Sequence, residues 1–365
     1  MNLINFFCIK NLKNLKNLKN LINLINLINL KNLINLINLK NLINSLVLFL
    51  AFSTAAQAQQ WTRIENGRLW TDTNGNSVQA HGGNFLQVGD VWYLVGEDRT
   101  DSWNPDVNLY STRDFRQWKF EGKIIGNGVT TPLLGRTRMI ERPKLMRCPK
   151  TGKFVVWCHW EAKDYGASEA AVFQSDSVGG PYQLVWAGRP MGVKSRDCNV
   201  FVDTDGAAYF ISTTNENQDL GLFALSDDYT RAISHTPLLI GQRREAPALA
   251  HVDSLYYMIS SACTGWVPNQ AQLTVSATVG DGWQVPQPIG DNVAYRTQAS
   301  SILRIEGTEA TAYIYVGDRW MDPDLPSSKI IMFPIELRDG QVTFEYRDKW
   351  EIDLKRGVWR DCSDH

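Results

Sequence analysis

Five short stretches of this chain carry side chains able to do chemistry: Ala80-His81-Gly82-Gly83, Ile140-Glu141-Arg142-Pro143, Ser195-Arg196-Asp197-Cys198, Arg244-Glu245-Ala246-Pro247 and Arg296-Thr297-Gln298-Ala299. Three of them set a carboxylate beside an arginine. Each precedes an apolar run, and in most a turn of Gly, Asp or Lys and then an aromatic-rich run follow. The intervals are regular: 60 residues from His81 to Glu141, 56 to Asp197, 48 to Glu245 and 53 to Gln298. Like positions recurring at such a period mark repeated units, and their side chains meet if the units pack around one axis. Three acids in one funnel cannot all keep ordinary pKa values, because neighbouring carboxylates raise one another while adjacent arginines lower them. A protonated carboxyl near an ionised one is what cleavage of a glycosidic bond requires. A single acid at a strand start more often caps a turn or forms a salt bridge; five polar residues in register favour a shared site.

The elements that must hold these residues read as strands. The first unit alternates over 83–88, 91–95, 107–111 and 117–120, and the second over 143–146, 154–157, 170–175 and 182–185. The later three units repeat the pattern, and helix-period spacing is nearly absent after the first 58 residues. No such meander covers both faces of its own sheet. Radial stacking is the favoured remedy, so the sequence predicts an all-β fold: a five-bladed β-propeller of four-stranded antiparallel blades, with a double β-sandwich as the competing solution. In a propeller the innermost strands all start at one mouth of the channel, which brings His81, Glu141, Asp197, Glu245 and Gln298 face to face. The fifth blade is expected to end near Trp350, with the tail closing the ring near 61–70.

Residues 1–58 are set apart. Positions 11–44 form a near-perfect three-residue repeat of Asn, Leu and Lys or Ile, too simple to pack a unique core. An apolar run over 45–52 follows, with Lys40 before it and Ala56-Gln57-Ala58 after it, the layout of a secretory signal peptide with a small-residue cleavage site. That run is too short to span a membrane, so no membrane association is expected after signal removal. The alternative is that the whole prefix anchors the protein; a start codon placed too far upstream would explain the repeat. Residues 59–365 are then expected to be one catalytic domain, periplasmic or secreted and monomeric. The formal net charge of the chain is −1, and no basic cluster lies outside the prefix, which argues against nucleic acid as a partner. Cys148, Cys158, Cys198, Cys263 and Cys362 show neither CxxC spacing nor a His pattern for zinc, and read as buried free thiols. No metal or cofactor is expected. Thirteen Trp and twelve Tyr suit stacking on sugars, although most of such rings serve as core.

In combination, His81-Gly82-Gly83, Glu141-Arg142-Pro143-Lys144, Ser195-Arg196-Asp197, Glu245-Ala246-Pro247, Gly265-Trp266-Val267-Pro268-Asn269, Thr297-Gln298 and Gly317-Asp318-Arg319-Trp320 resemble glycoside hydrolase family 43, and within it the exo-β-1,3-galactanase branch. The resemblance covers essentially all of residues 59–365. It implies inverting, exo-acting hydrolysis that releases terminal galactose from β-1,3-galactan, the backbone of arabinogalactan. By the same resemblance Glu245 is the general acid, Asp197 tunes it and holds a sugar hydroxyl, and Glu141 is the second-blade glutamate of that branch. Most of the family has a first-blade Asp as base; here that region reads His81-Gly82-Gly83. The branch instead uses a fifth-blade glutamine, matched by Gln298, as a possible imidic tautomer. An amide is a poor proton acceptor, so the base is left between Gln298 and Glu141. Tyr165, Thr264 and Trp266 fall where the branch contacts galactose, and His81, Arg196 and Asp318 complete the expected substrate-binding set. Arg142 and Arg196 are expected to set the charge of the neighbouring acids, and Glu97 with Arg99, like Asp318 with Arg319, to brace the funnel through salt bridges.

Other readings share parts of this pattern. The same fold and mechanism could act on arabinofuranosides or xylosides, since fold does not fix substrate. A non-catalytic carbohydrate-binding propeller would fit the missing first-blade Asp but not the retained Glu141, Asp197 and Glu245, and a secreted scaffold would need no acids at the channel mouth.

Overall fold

The computed structural model describes residues 3–55, 61–101, 106–126 and 138–362. The first part is a single helix, α1 (Leu3–Ala55). Apolar residues spaced by three drift around a 3.6-residue helix, so α1 has no fixed apolar face, and its leucines and isoleucines from Leu15 to Ile43 are exposed. Among the described residues no helix is long and apolar enough to cross a membrane. The Ala56-Gln57-Ala58 cleavage site lies outside them.

From Trp61 onward the chain forms a second compact unit, built of strands. After β1 (Thr62–Glu65), the first meander is β2 (His81–Val88), β3 (Val91–Asp98), β4 (Asp106–Thr112) and β5 (Lys119–Ile125). The second is β6 (Arg138–Arg147), β7 (Phe154–Ala162), β8 (Glu169–Ser175) and β9 (Gln183–Gly188). The third is β10 (Cys198–Val202), β11 (Ala208–Thr214), β12 (Asp219–Leu225) and β13 (Ala232–Leu238). The fourth is β14 (Arg244–Val252), β15 (Leu255–Ala262), β16 (Gln272–Ser276) and β17 (Gln287–Pro288). The fifth is β18 (Gln298–Glu306), β19 (Thr311–Arg319), β20 (Lys329–Arg338) and β21 (Gln341–Thr343). All pair antiparallel in sequence order.

The five-bladed expectation is corrected: the propeller has six blades, five of four strands and one of three. The added blade joins β1 to β22 (Lys349–Asp353) and β23 (Val358–Asp361). Trp350 therefore does not end the fifth meander, which stops at Thr343, and the tail does not extend the first sheet. It recruits β1 and buries Ile64, Trp350 and Ile352 in the core that also holds Phe85, Ile314 and Val316.

The innermost strands are fixed to one another by side chains, not by sheet hydrogen bonds. β2 packs on β6, β6 on β10, β10 on β14, β14 on β18 and β18 back on β2. At the centre the fully buried Lys144 Nζ donates to the carbonyls of Gly82 (2.6 Å), Gly83 (2.9 Å) and Ser300 (2.7 Å); burial and the nearby Arg142 push its pKa down to about 7, whereas three carbonyl acceptors call for the three N–H donors of the ammonium. Asn199 Nδ2 donates to the carbonyls of Pro247 (2.7 Å) and Ser300 (3.0 Å). These carbonyls are free to accept because three inner strands break register at their first turns, between His81 and Asn84, Glu141 and Lys144, and Glu245 and Ala248, and β18 does so between Ala299 and Ser301. Replacing Lys144 with Met keeps the length but strands the carbonyls of Gly82 and Gly83 and leaves that of Ser300 only its Asn199 donor, and each buried acceptor costs about 1–3 kcal/mol when unmet. Lys144→Met is therefore expected to lower the free energy of unfolding by about 3 kcal/mol or more, read as a lower urea midpoint of the chain.

Candidate active site

The register breaks are also what aims the site. In each of β2, β6 and β14 the residue after the polar one has a left-handed backbone: Gly82 (φ 62°), Arg142 (φ 48°) and Ala246 (φ 52°). A bulge of this kind turns one side chain away from the ladder, here His81, Glu141 and Glu245. Proline follows in two of the three, Pro143 and Pro247, where the ladder asks for no N–H. Gly82 also has no room for a side chain: a Cβ there would lie 2.5 Å from Glu97 Oε1.

Above these bulges opens a cavity of about 360 Å³ lined by Glu97, Arg99, Glu141, His159, Asp197 and Glu245 among others, with Trp266, Gln298 and Trp320 also in its wall. Arg142 crosses its floor. Its Nε meets Asp197 Oδ2 at 2.7 Å, its Nη1 donates to the Ala299 carbonyl at 3.0 Å and its Nη2 donates to Gln298 Oε1 at 2.5 Å. Its own backbone N–H donates to Glu97 Oε1 at 2.6 Å. The charges around it hold the Arg142 guanidinium firmly protonated despite burial.

The acids are driven apart. Burial, then the charge of Asp197, pushes the Glu245 carboxyl up to about 8, against the lowering pull of Arg142 and of the hydrogen bonds from Cys263 and Gln298. Burial works on Glu141 as well, yet His159, Arg99 and the Tyr165 hydroxyl hold it well below the usual carboxylate range. Tyr165 donates to Glu141 Oε1 at 2.8 Å, Arg99 lies 3.3 Å from the same oxygen, and His159 Nδ1 lies 3.0 Å from Oε2. His159 is clamped on its other side by Glu161, 3.0 Å from Nε2, so that, although burial opposes it, its pKa is pushed up to about 9 and the ring is an imidazolium at neutral pH. Glu97, under Arg99 and Arg142, is raised by its burial. Gln298 uses all its hydrogen-bonding capacity: Oε1 accepts from Arg142 and from Trp320 Nε1 (2.9 Å), and Nε2 donates to Glu245 Oε1 (2.9 Å) and Ser261 Oγ (3.1 Å).

At this level of detail the comparisons with known proteins become decisive. The sequence profile of glycosyl hydrolases family 43 matches residues 80–301. The chain belongs to that family. Among solved structures, it is similar to an exo-β-1,3-galactanase from Clostridium thermocellum, with 38% identity and a TM-score of 0.79 over 82% of this chain and 68% of that one. An exo-β-1,3-galactanase from Phanerochaete chrysosporium, solved as a Glu-to-Gln variant with β-1,3-galactotriose, is 28% identical with a TM-score of 0.76, covering 83% of this chain and 71% of that one. A family 43 β-1,3-galactosidase is 34% identical with a TM-score of 0.72 over 80% and 64% of the two chains. No match was found among curated proteins.

As a family 43 glycosidase, the chain gathers Glu141, Asp197, Glu245, Gln298, Tyr165, Trp266 and Arg196 around one cavity. Arg196 does not serve the acids: it donates to Ser168 Oγ (3.1 Å) and the Tyr165 carbonyl (3.2 Å), and pairs with Glu216. Three other expected contacts lie elsewhere. Thr264 closes a turn, its hydroxyl donating to the Val267 carbonyl (2.6 Å) and accepting from Asn269. His81 and Asp318 are a buried pair, Nδ1 to Oδ1 at 2.9 Å, with Asp318 Oδ2 accepting the Gly82 N–H. Asp318 thus braces His81, while Arg319 reaches the Tyr295 carbonyl; Glu97 and Arg99 form the expected ion pair. The cysteines are unpaired, Cys148, Cys158 and Cys198 buried and Cys263 and Cys362 half-buried.

His159, Cys263 and Asn217 line the cavity without having been singled out for it. A signal for His159 was present: the ladder sets Glu141 opposite His159, just as it sets His81 opposite Glu97, Glu245 opposite Ser261 and Gln298 opposite Asp318. Extending the five-fold comparison to second strands would have found that outer ring. Since the Asp197 charge raises the Glu245 pKa, Asp197→Asn lets Glu245 ionise at lower pH. The alkaline limb of its kcat/KM–pH profile is expected to move down by roughly one pH unit; an unmoved limb means that Asp197 does not tune the acid.

Proposed function

We propose that this glycosidase is an inverting exo-β-1,3-galactanase that releases galactose from the non-reducing end of β-1,3-galactan, with Glu245 as its general acid. The observation that carries this is the protonated, reachable Glu245 carboxyl, 2.9 Å from Gln298 in a cavity fitted to one or two sugar rings. A general acid works best when its pKa lies near the working pH. The likeness to two exo-β-1,3-galactanases and a β-1,3-galactosidase supplies the substrate class. A blind cavity suits a chain end better than a chain interior, which supports exo action.

Oxygens of Glu141 and Asp197 approach within 4.8 Å of each other. In this reading Glu245 protonates the leaving oxygen and Asp197, fixed by Arg142, holds a hydroxyl of the terminal ring. Trp266, packed edge-on against Trp320 with centroids 4.7 Å apart and carrying the Arg99 guanidinium 5.1 Å from its own, offers the apolar wall against which a galactose face stacks. The attacking water belongs to Gln298 or Glu141. Gln298 touches the acid, and sugar entry must open that bond; Glu141 is ionised but stabilised by three neighbours, which weakens it as a base.

Glu245→Gln is expected to lower kcat on β-1,3-galactan by about 10³-fold while the variant still binds the substrate. Unchanged turnover would overturn the assignment of the acid. Release of arabinose or xylose from their aryl glycosides, with none of galactose from galactan, would overturn the substrate. Gln298→Ala is expected to lose about 10²-fold in kcat; a full rate would remove the glutamine from the mechanism and leave Glu141 as the base.

A further inference from the structure

The axis has a second cavity. The inner strands start at the catalytic mouth, and at the opposite end of the same strands lies a space of about 350 Å³ lined by β2, β10, β14 and β18. The Lys144 ammonium on Gly82, Gly83 and Ser300, together with Asn199 on Pro247 and Ser300, fills the axis between the two. No residue lines both cavities, so the far one is not an extension of the catalytic subsites.

Its chemistry is that of a site, not of a packing defect. Aromatic rings of Trp92, Phe201 and Tyr313 form part of its wall. Phe201 is held edge-on by Tyr256, centroids 6.1 Å apart, and alongside Tyr209. His251 is locked: Nδ1 sits 2.6 Å from Asp203 Oδ1, its ring stacks on Tyr256 at 4.1 Å, and Tyr256 donates to Asp203 Oδ2 at 2.5 Å. Its other nitrogen, Nε2, has no hydrogen-bond partner among the described residues. Ser301, only 7% exposed and lining the same space, has a hydroxyl with no hydrogen-bond partner among the described residues. A buried polar atom left unmet costs free energy unless something fills the gap. The charged groups nearby are already engaged: the Asp203 carboxylate, held below its usual range, accepts from Tyr256 and meets His251, and the rim Arg304 pairs with Glu306 at 2.7 Å. Flat apolar rings beside a few uncharged hydrogen-bonding groups recognise a neutral polyol ring.

We propose that this far cavity is a second, non-catalytic binding site for a neutral sugar ring. His251 Nε2 and Ser301 Oγ meet its hydroxyls, and one of the aromatic faces meets its C–H surface. The site would hold a free monosaccharide or the end of a second glycan chain while the catalytic mouth works independently. That galactose is the first sugar to try rests on the proposed activity; the site itself does not.

Equilibrium dialysis of the whole protein against radiolabelled galactose, arabinose, xylose and glucose tests this. The wild type is expected to bind two equivalents of galactose. His251→Ala should bind one, and so should Thr204→Trp, which places a large ring at the exposed lip of the cavity without touching the core. Both variants should keep the wild-type rate of hydrolysis. One equivalent in the wild type for every sugar, or two retained in Thr204→Trp, overturns the proposal. If His251→Ala unfolds, Thr204→Trp decides alone. Two equivalents of another neutral sugar with none of galactose sustains the cavity as a sugar site and counts against the galactan reading instead.

Discussion

One buried guanidinium ties the site together. Arg142 belongs to the second sheet, yet it holds Asp197 beside the third, Gln298 and Ala299 of the fifth and, through its backbone N–H, Glu97 of the first. Gln298 in turn reaches Glu245 of the fourth. A propeller has no hydrogen-bonded ladder across its axis, so the relative placement of catalytic groups from different sheets depends on contacts of this kind. A lysine could not substitute: one ammonium cannot present three separated donors in a plane to a carboxylate, an amide and a carbonyl at once. The left-handed backbone at Arg142 is part of the same arrangement, since that turn is what frees its N–H for Glu97.

The same constraint explains how three acids divide their roles. Arg142 lies at Asp197 and is felt by Glu245, whose affinity for a proton it lowers; it does not cancel the burial of Glu245 or the charge of Asp197 next to it. Glu141 has its own cations in His159 and Arg99 and a hydroxyl donor in Tyr165. His159 remains charged in a fully buried place because carboxylates stand on both its nitrogens, and Glu161 is itself fixed by the N–H groups of Ala162, Ala167 and Ser168. The protonated acid and the ionised one are therefore set by second-strand residues as much as by the first-strand ones that carry the chemistry.

How far the sequence could be read follows from this division. Glu141-Arg142-Pro143 and Glu245-Ala246-Pro247 were legible because a bulge with a left-handed residue and a proline leaves a mark in residue types. The meanders were legible from alternation. The closing contact near 61–70 was legible, but not that Thr62–Glu65 and Lys349–Asp353 pair as a sheet of their own, because nothing local says whether such a pair extends the first sheet or stands apart from it. His81 and Asp318 stand at the expected positions in register, but the side chains turn to each other below the cavity, and only the tertiary packing of two neighbouring sheets decides between a pair and a ligand contact. Thr264 was placed by loop position alone, and its hydroxyl is consumed by the turn it closes.

The axis also explains why one scaffold can carry separate sites at its two mouths. Four of the five inner strands run eight to ten residues, with a bulge at the catalytic end and regular pairing at the other, while β10 is a regular strand of five residues. Lys144 sits just past the bulges, where carbonyls released from the ladder need a donor and where the strands are closest. A cation there satisfies them and blocks the channel in one step, so the catalytic cavity becomes blind. Blindness is what an enzyme acting at chain ends requires, because a sugar that could pass down the axis would find no fixed position for its anomeric carbon. Lys144, which ties the ring together, thus lies beneath the Arg142 floor of the cavity and keeps the axis closed there.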